Sequence, residues 1–264
     1  MRKPVNDFPP VPLRRCLAAA TLALLLSGCA APAGGQHSSN SQNAAIANTQ
    51  LGSAYLNQGE LALAKDKLDK ALAQDPSNPE VHSVRAMLFE RMGQSAKADA
   101  EYRTALRLAP SDPNVVNNYA VYLCQNGRTD EGVKHFEEAA RNALYRTPEA
   151  AYTNAGVCLR AAKRDEDARG YFVKALQLKP DFSDAVLQLA DLQFQHAEYA
   201  PARALIDAYL GRFRETPDLL LLAVRVARAQ KDQLGAQRYA RKLQLDFPGS
   251  DQTRALAGLD HNPG

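Results

Sequence analysis

A pattern of small and aromatic residues recurs every 34 residues from about residue 45. The recurring positions are Gly52, Tyr55, Gly59, Ala64, Leu68, Ala71 and Pro76, then Ala86, Phe89, Gly93, Ala98, Tyr102, Ala105 and Pro110. They continue as Ala120, Leu123, Gly127, Gly132, Phe136 and Ala139 and, after a two-residue insertion near Tyr145, as Gly156, Leu159, Ala168, Phe172, Ala175 and Pro180. A fixed period of this length is typical of an array whose units bury their apolar faces only against one another. The period therefore favours an extended array over one or two conventional domains.

Each unit contains two apolar-periodic stretches separated by a glycine or a polar turn, which predicts a pair of helices. Four boundaries place a capping side chain before a proline at the first helical position: Asn78-Pro79, Asp112-Pro113, Thr147-Pro148 and Thr216-Pro217. The units run over 45–78, 79–112, 113–146, 149–182, 183–216 and 217–250, and the last two carry a weaker signature. With residues 251–264 as a C-terminal cap or tail, the sequence predicts an all-α superhelix of about six helix pairs.

The N-terminus reads as an export signal. A charged start is followed by an apolar run from Leu17 to Leu26 and by Ser27-Gly28-Cys29. This ending resembles the lipobox of bacterial lipoproteins, which implies a signal peptide over residues 1–28 and lipidation of Cys29. Residues 29–44 are small and polar, and they predict a flexible linker between the lipid and the array. The alternative is an uncleaved signal anchor in which the cysteine is incidental.

The positive charge of the chain belongs to this signal. Residues 1–28 hold four of the 32 Lys and Arg residues and one of the 29 Asp and Glu residues, so 28 of each sign remain. A balanced body gives no compositional case for binding nucleic acid. The sequence also has no phosphate-binding, dinucleotide-binding or zinc-protease motif, and its five histidines lack metal-ligand spacing. We therefore expect a non-enzyme with no catalytic residues, metal, cofactor or small-molecule substrate.

The 34-residue pattern resembles the tetratricopeptide repeat, in which the first helix of each unit lines a concave groove. By that analogy the candidate groove residues are Thr49, Ser53, Leu56, Asn57, Met87, Asn117, Asn118, Val121, Asn154 and Val157. Asn118 and Asn154 occupy equivalent places in the third and fourth units. Each amide could bind an extended peptide backbone or form a hydrogen bond within the array.

Cys124 and Cys158 lie on the first helices of adjacent units, about two positions out of register because of the insertion. Packed helices lie about 8–10 Å apart and a disulfide needs Cα atoms within about 7 Å, so a close helix pair could form the bond. In an oxidising compartment the sequence favours a disulfide over two buried thiols.

Two segments narrow the family. They are Asn117-Asn118-Tyr119-Ala120-x-x-Leu123-Cys124-x-x-Gly127, and Leu144-Tyr145-Arg146-Thr147-Pro148-Glu149 followed by Asn154-Ala155-Gly156-x-Cys158. With the lipobox and the repeats, the chain resembles the type IV pilus biogenesis lipoproteins of the PilF/PilW family. The resemblance implies a pilotin, a lipid-anchored protein that binds the pilus secretin and promotes its multimerisation in the outer membrane. Ala30, after the lipidated cysteine, fits outer-membrane sorting. A rival reading is a lipoprotein scaffold that recruits or regulates peptidoglycan-modifying enzymes.

Overall fold

The computed structural model describes the backbone of residues 34–261 and the side chains of residues 39–258. Thirteen α-helices follow one another along this part of the chain. They are α1 Gly34–Asn57, α2 Leu61–Gln74, α3 Pro79–Arg91, α4 Ser95–Leu108, α5 Pro113–Gln125, α6 Thr129–Arg141, α7 Pro148–Ala161, α8 Asp165–Leu178, α9 Ser183–Gln195, α10 Tyr199–Leu210, α11 Pro217–Ala229, α12 Gln233–Asp246 and α13 Asp251–His261. Within residues 34–261, none of the helices has the length and hydropathy of a membrane span.

Consecutive helices pack in pairs, α1 with α2 through α11 with α12, and each first helix also contacts the first helix of the next pair. The last helix, α13, packs on α11 and α12 and covers the end of the stack. The predicted all-α architecture of six helix pairs with a C-terminal cap is therefore confirmed. The predicted signal peptide, residues 1–28, and Cys29 lie outside the described residues.

Three of the four predicted side-chain caps are present. Asn78 Oδ1 accepts a hydrogen bond from the Glu80 amide at 2.9 Å, and Asp112 Oδ1 accepts one from the Asn114 amide at 2.8 Å. Thr216 caps α11 in the same way. Thr147 is the exception, because it precedes Pro148 without a cap hydrogen bond from its side chain. The proline alone marks the start of α7.

The first helix begins earlier than the repeat pattern predicts. A flexible linker was expected over residues 29–44, but α1 starts at Gly34, so this prediction is wrong for residues 34–44. Tertiary contacts explain the difference. Ser41 Oγ donates to the Gln74 carbonyl at 2.6 Å, and Asn48 Nδ2 donates to Gln74 Oε1 at 2.9 Å. Both bonds join α1 to the last residue of α2, and the bond from Ser41 satisfies a backbone carbonyl that lacks a helical partner.

Small residues let the two helices of a unit approach closely. A Cβ added to Gly156 in α7 would lie 2.4 Å from Cε1 of Phe172, which is fully buried in α8. A Cβ added to Gly52 in α1 would lie 2.6 Å from Cγ of Leu68 in α2. At both places the glycine is required because the partner side chain already fills the space.

Equivalent ion pairs connect successive second helices. Arg169 in α8 forms two hydrogen bonds with Glu198 before α10, at 2.8 and 2.9 Å. One unit later, Arg203 in α10 contacts Asp232 before α12 at 3.2 Å. Partly exposed pairs of this kind contribute about 0–1 kcal/mol each, so they fix the register of the units more than they stabilise them.

A buried histidine makes the stability of the array depend on pH. His82 in α3 lies 2.6 Å from Glu101 Oε2 through Nδ1 and 3.0 Å from the Pro76 carbonyl through Nε2. Both partners are acceptors, and only the protonated ring donates from both nitrogens. The hydrogen bond to Glu101 raises the pKa of His82 against the opposing effects of burial and of nearby Arg85.

We expect the free energy of unfolding to fall as the pH rises from 6 through the folded-state pKa of His82. The raised pKa means that protonation stabilises the folded state, and this stabilisation is complete only below the unfolded pKa of about 6.5. The measurement is urea denaturation of the wild type and of His82→Gln at several pH values between 5.5 and 8. His196→Gln, which replaces a more exposed histidine, is the control. Identical pH profiles for the wild type and His82→Gln would contradict the prediction.

Candidate partner-binding groove

Three adjoining depressions run along the first helices of units two to five. Their volumes are about 450, 190 and 480 Å³. The first two share Val121 and Gln125 of α5, and the last two share Val157 and Ala161 of α7. Because of these shared residues the depressions form one continuous groove.

Five of the ten predicted groove residues line this surface. Met87, Asn118, Val121, Asn154 and Val157 all face the three depressions. The side chains of Met87 and Val157 are 38% and 42% exposed, which leaves them accessible to a partner. The structure therefore brings together the candidates from α3, α5 and α7.

Two of the predicted groove residues are buried instead, and for these the prediction is wrong. Thr49 is 1% exposed and its hydroxyl donates to the Ala45 carbonyl of its own helix. Leu56 is 2% exposed and packs in the apolar cluster that includes Leu68 and Leu88. Neither side chain can reach a partner, because α2 and α3 cover this side of α1.

The other three predicted residues lie outside the depressions. Ser53 is half-buried and Asn57 is exposed, both on α1. Asn117 is half-buried on α5, and its side-chain oxygen is enclosed without a hydrogen-bond partner.

Residues at the ends of the first helices also line the groove and were not among the predicted candidates. Arg91 and Gln125 line the first depression, and they lie 34 and 68 residues after Asn57. Adding the 34-residue period once and twice to the position of Asn57 gives both residues. Around the third depression, Ala161 and Gln195 continue the same series after the two-residue insertion, and Gln188 lies 34 residues after Asn154. Arg160, Lys163 and Asp165 had no such signal.

A disulfide forms part of the groove wall. Cys124 and Cys158 are bonded, with their Cα atoms 5.5 Å apart, and both line the second depression. The sulfur of Cys124 occupies space beside Gly132 of α6, where an added Cβ would lie 2.4 Å from Sγ. The equivalent position holds alanine in the other five units, namely Ala64, Ala98, Ala168, Ala202 and Ala236. The glycine is thus the local adjustment that accommodates the disulfide.

Most charged groups in the groove already have partners. Arg160 donates to Gln188 Oε1 at 2.7 Å and to Asp191 at 2.8 Å. Glu90 accepts a hydrogen bond from the Tyr102 hydroxyl, and burial raises the pKa of this carboxyl. These groups are held in place by the array itself.

Two cations differ from this pattern. Arg91 lines the first depression and Lys163 lines the third. Both are exposed, and neither forms an ion pair within the described part of the chain. Glu90 and Asp165, the carboxylates of the same two depressions, are half-buried, so the exposed charge at each end of the groove is positive.

The side chains of the groove are suited to binding. Its polar groups are amides, guanidinium groups, the Lys163 ammonium group, the Tyr102 hydroxyl, and carboxylates that are bonded to other side chains of the array. Across the described residues there is no group of three or more His, Cys, Asp or Glu placed to hold a metal ion. This arrangement suits recognition of a protein segment.

Known proteins share both the repeats and the overall shape. The tetratricopeptide-repeat family model matches residues 49–113, 83–143 and 118–181, and a second tetratricopeptide-repeat model matches residues 159–226. The chain is 33% identical over 201 residues to the type IV pilus assembly protein PilF of Pseudomonas aeruginosa, covering 76% of this chain and 80% of that protein. The chain belongs to the PilF family.

Solved structures of PilF and PilW agree with this assignment. The Pseudomonas aeruginosa PilF structure superposes with a TM-score of 0.64 at 32% identity, covering 83% of this chain and 99% of that one. The structure of PilW, described as a widely conserved type IV pilus biogenesis factor, gives 0.65 at 27% identity over 81% and 98%. This PilF-family chain therefore has the tetratricopeptide-repeat architecture of proteins that act in type IV pilus biogenesis.

Proposed function

We propose that this chain is an outer-membrane lipoprotein, a pilotin that binds the type IV pilus secretin and promotes its multimerisation, and thereby pilus biogenesis. The observation that carries the proposal is the 33% identity to a type IV pilus assembly protein over most of both chains. The groove supports a binding role, because it offers amides, apolar side chains and unpaired cations on one face.

Lipidation of Cys29 would direct the protein to the outer membrane and anchor it there. One acyl chain gives marginal anchoring and two or more give stable attachment. The early start of α1 adds a geometric consequence. Five Cα-to-Cα steps separate Cys29 from Gly34, which is at most about 18 Å. The array would therefore be held close to the membrane in which the secretin assembles.

The mechanism needs no chemical step. The groove captures a secretin segment while the lipid directs the complex to the outer membrane. Asn118 and Asn154 would bind the backbone of the captured segment, since an amide both donates and accepts hydrogen bonds.

A deletion strain tests the proposal. We expect it to lose heat-resistant secretin multimers in the outer membrane and to lose twitching motility. Restoring the wild-type chain should return both, whereas Cys29→Ala should return neither, because the unanchored protein is not delivered. Normal multimers and motility in the deletion strain would refute the pilotin role. Altered peptidoglycan with normal multimers would favour the cell-wall scaffold instead.

A further inference from the structure

We propose that the second depression of the groove is a socket for one aliphatic side chain of an extended, acidic segment of the partner, and that the disulfide forms its wall. This inference rests on the proposed function, because it describes how the partner is recognised. The disulfide socket is defined by Val121, Cys124, Phe136, Asn154, Val157 and Cys158.

The walls of the socket select an apolar side chain. Phe136 is 1% exposed and Cys158 is 5% exposed, so both lie deep, while Val157 stands at the mouth. None of the residues that line the socket is charged. Its volume of about 190 Å³ is close to the roughly 150 Å³ of an engineered apolar cavity that binds benzene. That space suits a side chain the size of Leu, Ile or Met, and it is too small for a helix.

Unpartnered amides beside the socket select an extended backbone. Asn118 and Asn154 lie at equivalent places on α5 and α7, and Gln125 lies between them in the shared wall. The side chains of these three residues form no hydrogen bond within residues 39–258, although neighbouring amides such as Gln188 do. A hydrogen bond within the array, the alternative for the two asparagines, is therefore not what these amides form. A peptide in extended conformation supplies both the donors and the acceptors that they lack.

The charges at the two ends of the groove select acidic neighbours. Arg91 and Lys163 are exposed on opposite sides of the socket and lack ion-pair partners among the described residues. The two carboxylates of the same depressions, Glu90 and Asp165, are half-buried and hydrogen-bonded to Tyr102 and His196, so the exposed charges are the two cations. Charge complementarity therefore favours Asp or Glu on either side of the aliphatic residue.

The disulfide holds the wall in this shape. The disulfide lies between α5 and α7 and lines the socket. Behind it, the sulfur of Cys124 leaves no room for a side chain larger than that of glycine at position 132. Without the bond, the two cysteines would separate to van der Waals distance and narrow the socket. Reduction of the disulfide should therefore weaken partner binding as well as lower the stability of the array.

The test uses the full chain and an array of overlapping 15-residue peptides from the periplasmic part of the secretin of the same organism. We expect the bound peptides to contain an aliphatic residue with acidic neighbours. Fluorescence anisotropy then gives the Kd of the tightest peptide. Replacing its aliphatic residue with Ala should weaken binding about 10- to 100-fold, the range expected for burying one such side chain.

Two equally exposed valines provide the matched variants. Val157→Asp, at the mouth of the socket, should weaken binding at least tenfold and should remove the effect of the Ala substitution in the peptide. Val173→Asp changes a valine of α8 that is 39% exposed, against 42% for Val157, and it should bind within twofold of the wild type. Arg91→Glu and Lys163→Glu should each weaken binding at low salt, and their effects should fade as salt screens the charges.

The outcomes separate the two proposals. If the wild type captures neither the whole secretin nor any peptide, the pilotin role fails and the socket fails with it. If the wild type binds but Val157→Asp and Val173→Asp bind equally well, the socket is refuted and the pilotin role stands. Bound peptides that are basic or lack an aliphatic residue would also overturn the socket.

Discussion

Replacing Cys124 and Cys158 together with alanine is expected to lower the free energy of unfolding by about 3–4 kcal/mol. The two cysteines are 34 residues apart, and closing a loop of that length removes entropy from the unfolded chain worth about this much. The disulfide also spans the one junction where an insertion breaks the repeat period. Urea denaturation of the double variant and the wild type measures the difference.

The effect should be local as well as large. In a repeat array each unit contacts mainly its neighbours, so a lost cross-link is felt first at its own junction. We expect amide hydrogen exchange to increase most in α5, α6 and α7 and to change little in α11 and α12. Wild-type protein treated with a reductant is the control, because it keeps both sulfur atoms and loses only the bond. A loss below about 1 kcal/mol, or an increase in exchange spread evenly over the array, would contradict the prediction.

The architecture could be predicted because the helix boundaries are marked separately in several repeats by the same local pattern. Pro79, Pro113, Pro148 and Pro217 each begin a helix at the residue where the sequence places one. A proline at the first helical position loses no hydrogen bond, so local chemistry alone fixes these boundaries. The N-terminal extension of α1 could not be predicted in this way. Its polar composition resembles a linker, and its order depends on contacts of Ser41 and Asn48 with α2.

The groove was predicted less well because the repeat period gives the position of a residue but not its depth. Thr49, Ser83 and Thr153 share one repeat position and are nearly buried, and Asn117 at the same position of the third unit is half-buried. A partner cannot reach the three buried hydroxyl groups at this position. Asn118 and Asn154, one position further along, face the groove. A shift of one residue rotates a helical side chain by about 100°, which is enough to separate the two environments.

The sequence carries a second signal for the disulfide besides the spacing of the two cysteines. Five units hold alanine where the third holds Gly132, and the sulfur of Cys124 fills the space that a methyl group would need. A departure from the repeat consensus thus indicates a tertiary contact. A change of residue size at one position of a unit likewise indicates a matching change in the residue that packs against it.

Gly156→Val is expected to lower the free energy of unfolding by about 3 kcal/mol, because it forces extra atoms into a filled core. The added Cβ alone would lie 2.4 Å from a ring carbon of Phe172, and valine adds two more carbons. Helix propensity acts in the opposite direction, since valine favours a helix interior over glycine by a few tenths of a kcal/mol. A destabilised variant would therefore show that packing outweighs propensity. Gly170→Ala in α8 is the control, because a Cβ there meets nothing within 4 Å and should stabilise the protein by up to about 1 kcal/mol.

The sixth unit suggests a compensating substitution. Val224 and Ala240 lie 68 residues after Gly156 and Phe172, and both belong to or pack on the same apolar cluster. The larger residue is thus on the first helix and the smaller on the second, the reverse of the fourth unit. Phe172→Ala alone should cost about 3–5 kcal/mol through the cavity that it leaves. In the double variant Gly156→Val/Phe172→Ala, the new valine would occupy part of that cavity. The loss in free energy of unfolding of the double variant should therefore be about 1–3 kcal/mol smaller than the sum of the two single losses. Strict additivity in urea denaturation would mean that residues 156 and 172 do not share one volume, and the reversal of sizes in the sixth unit would then need another cause.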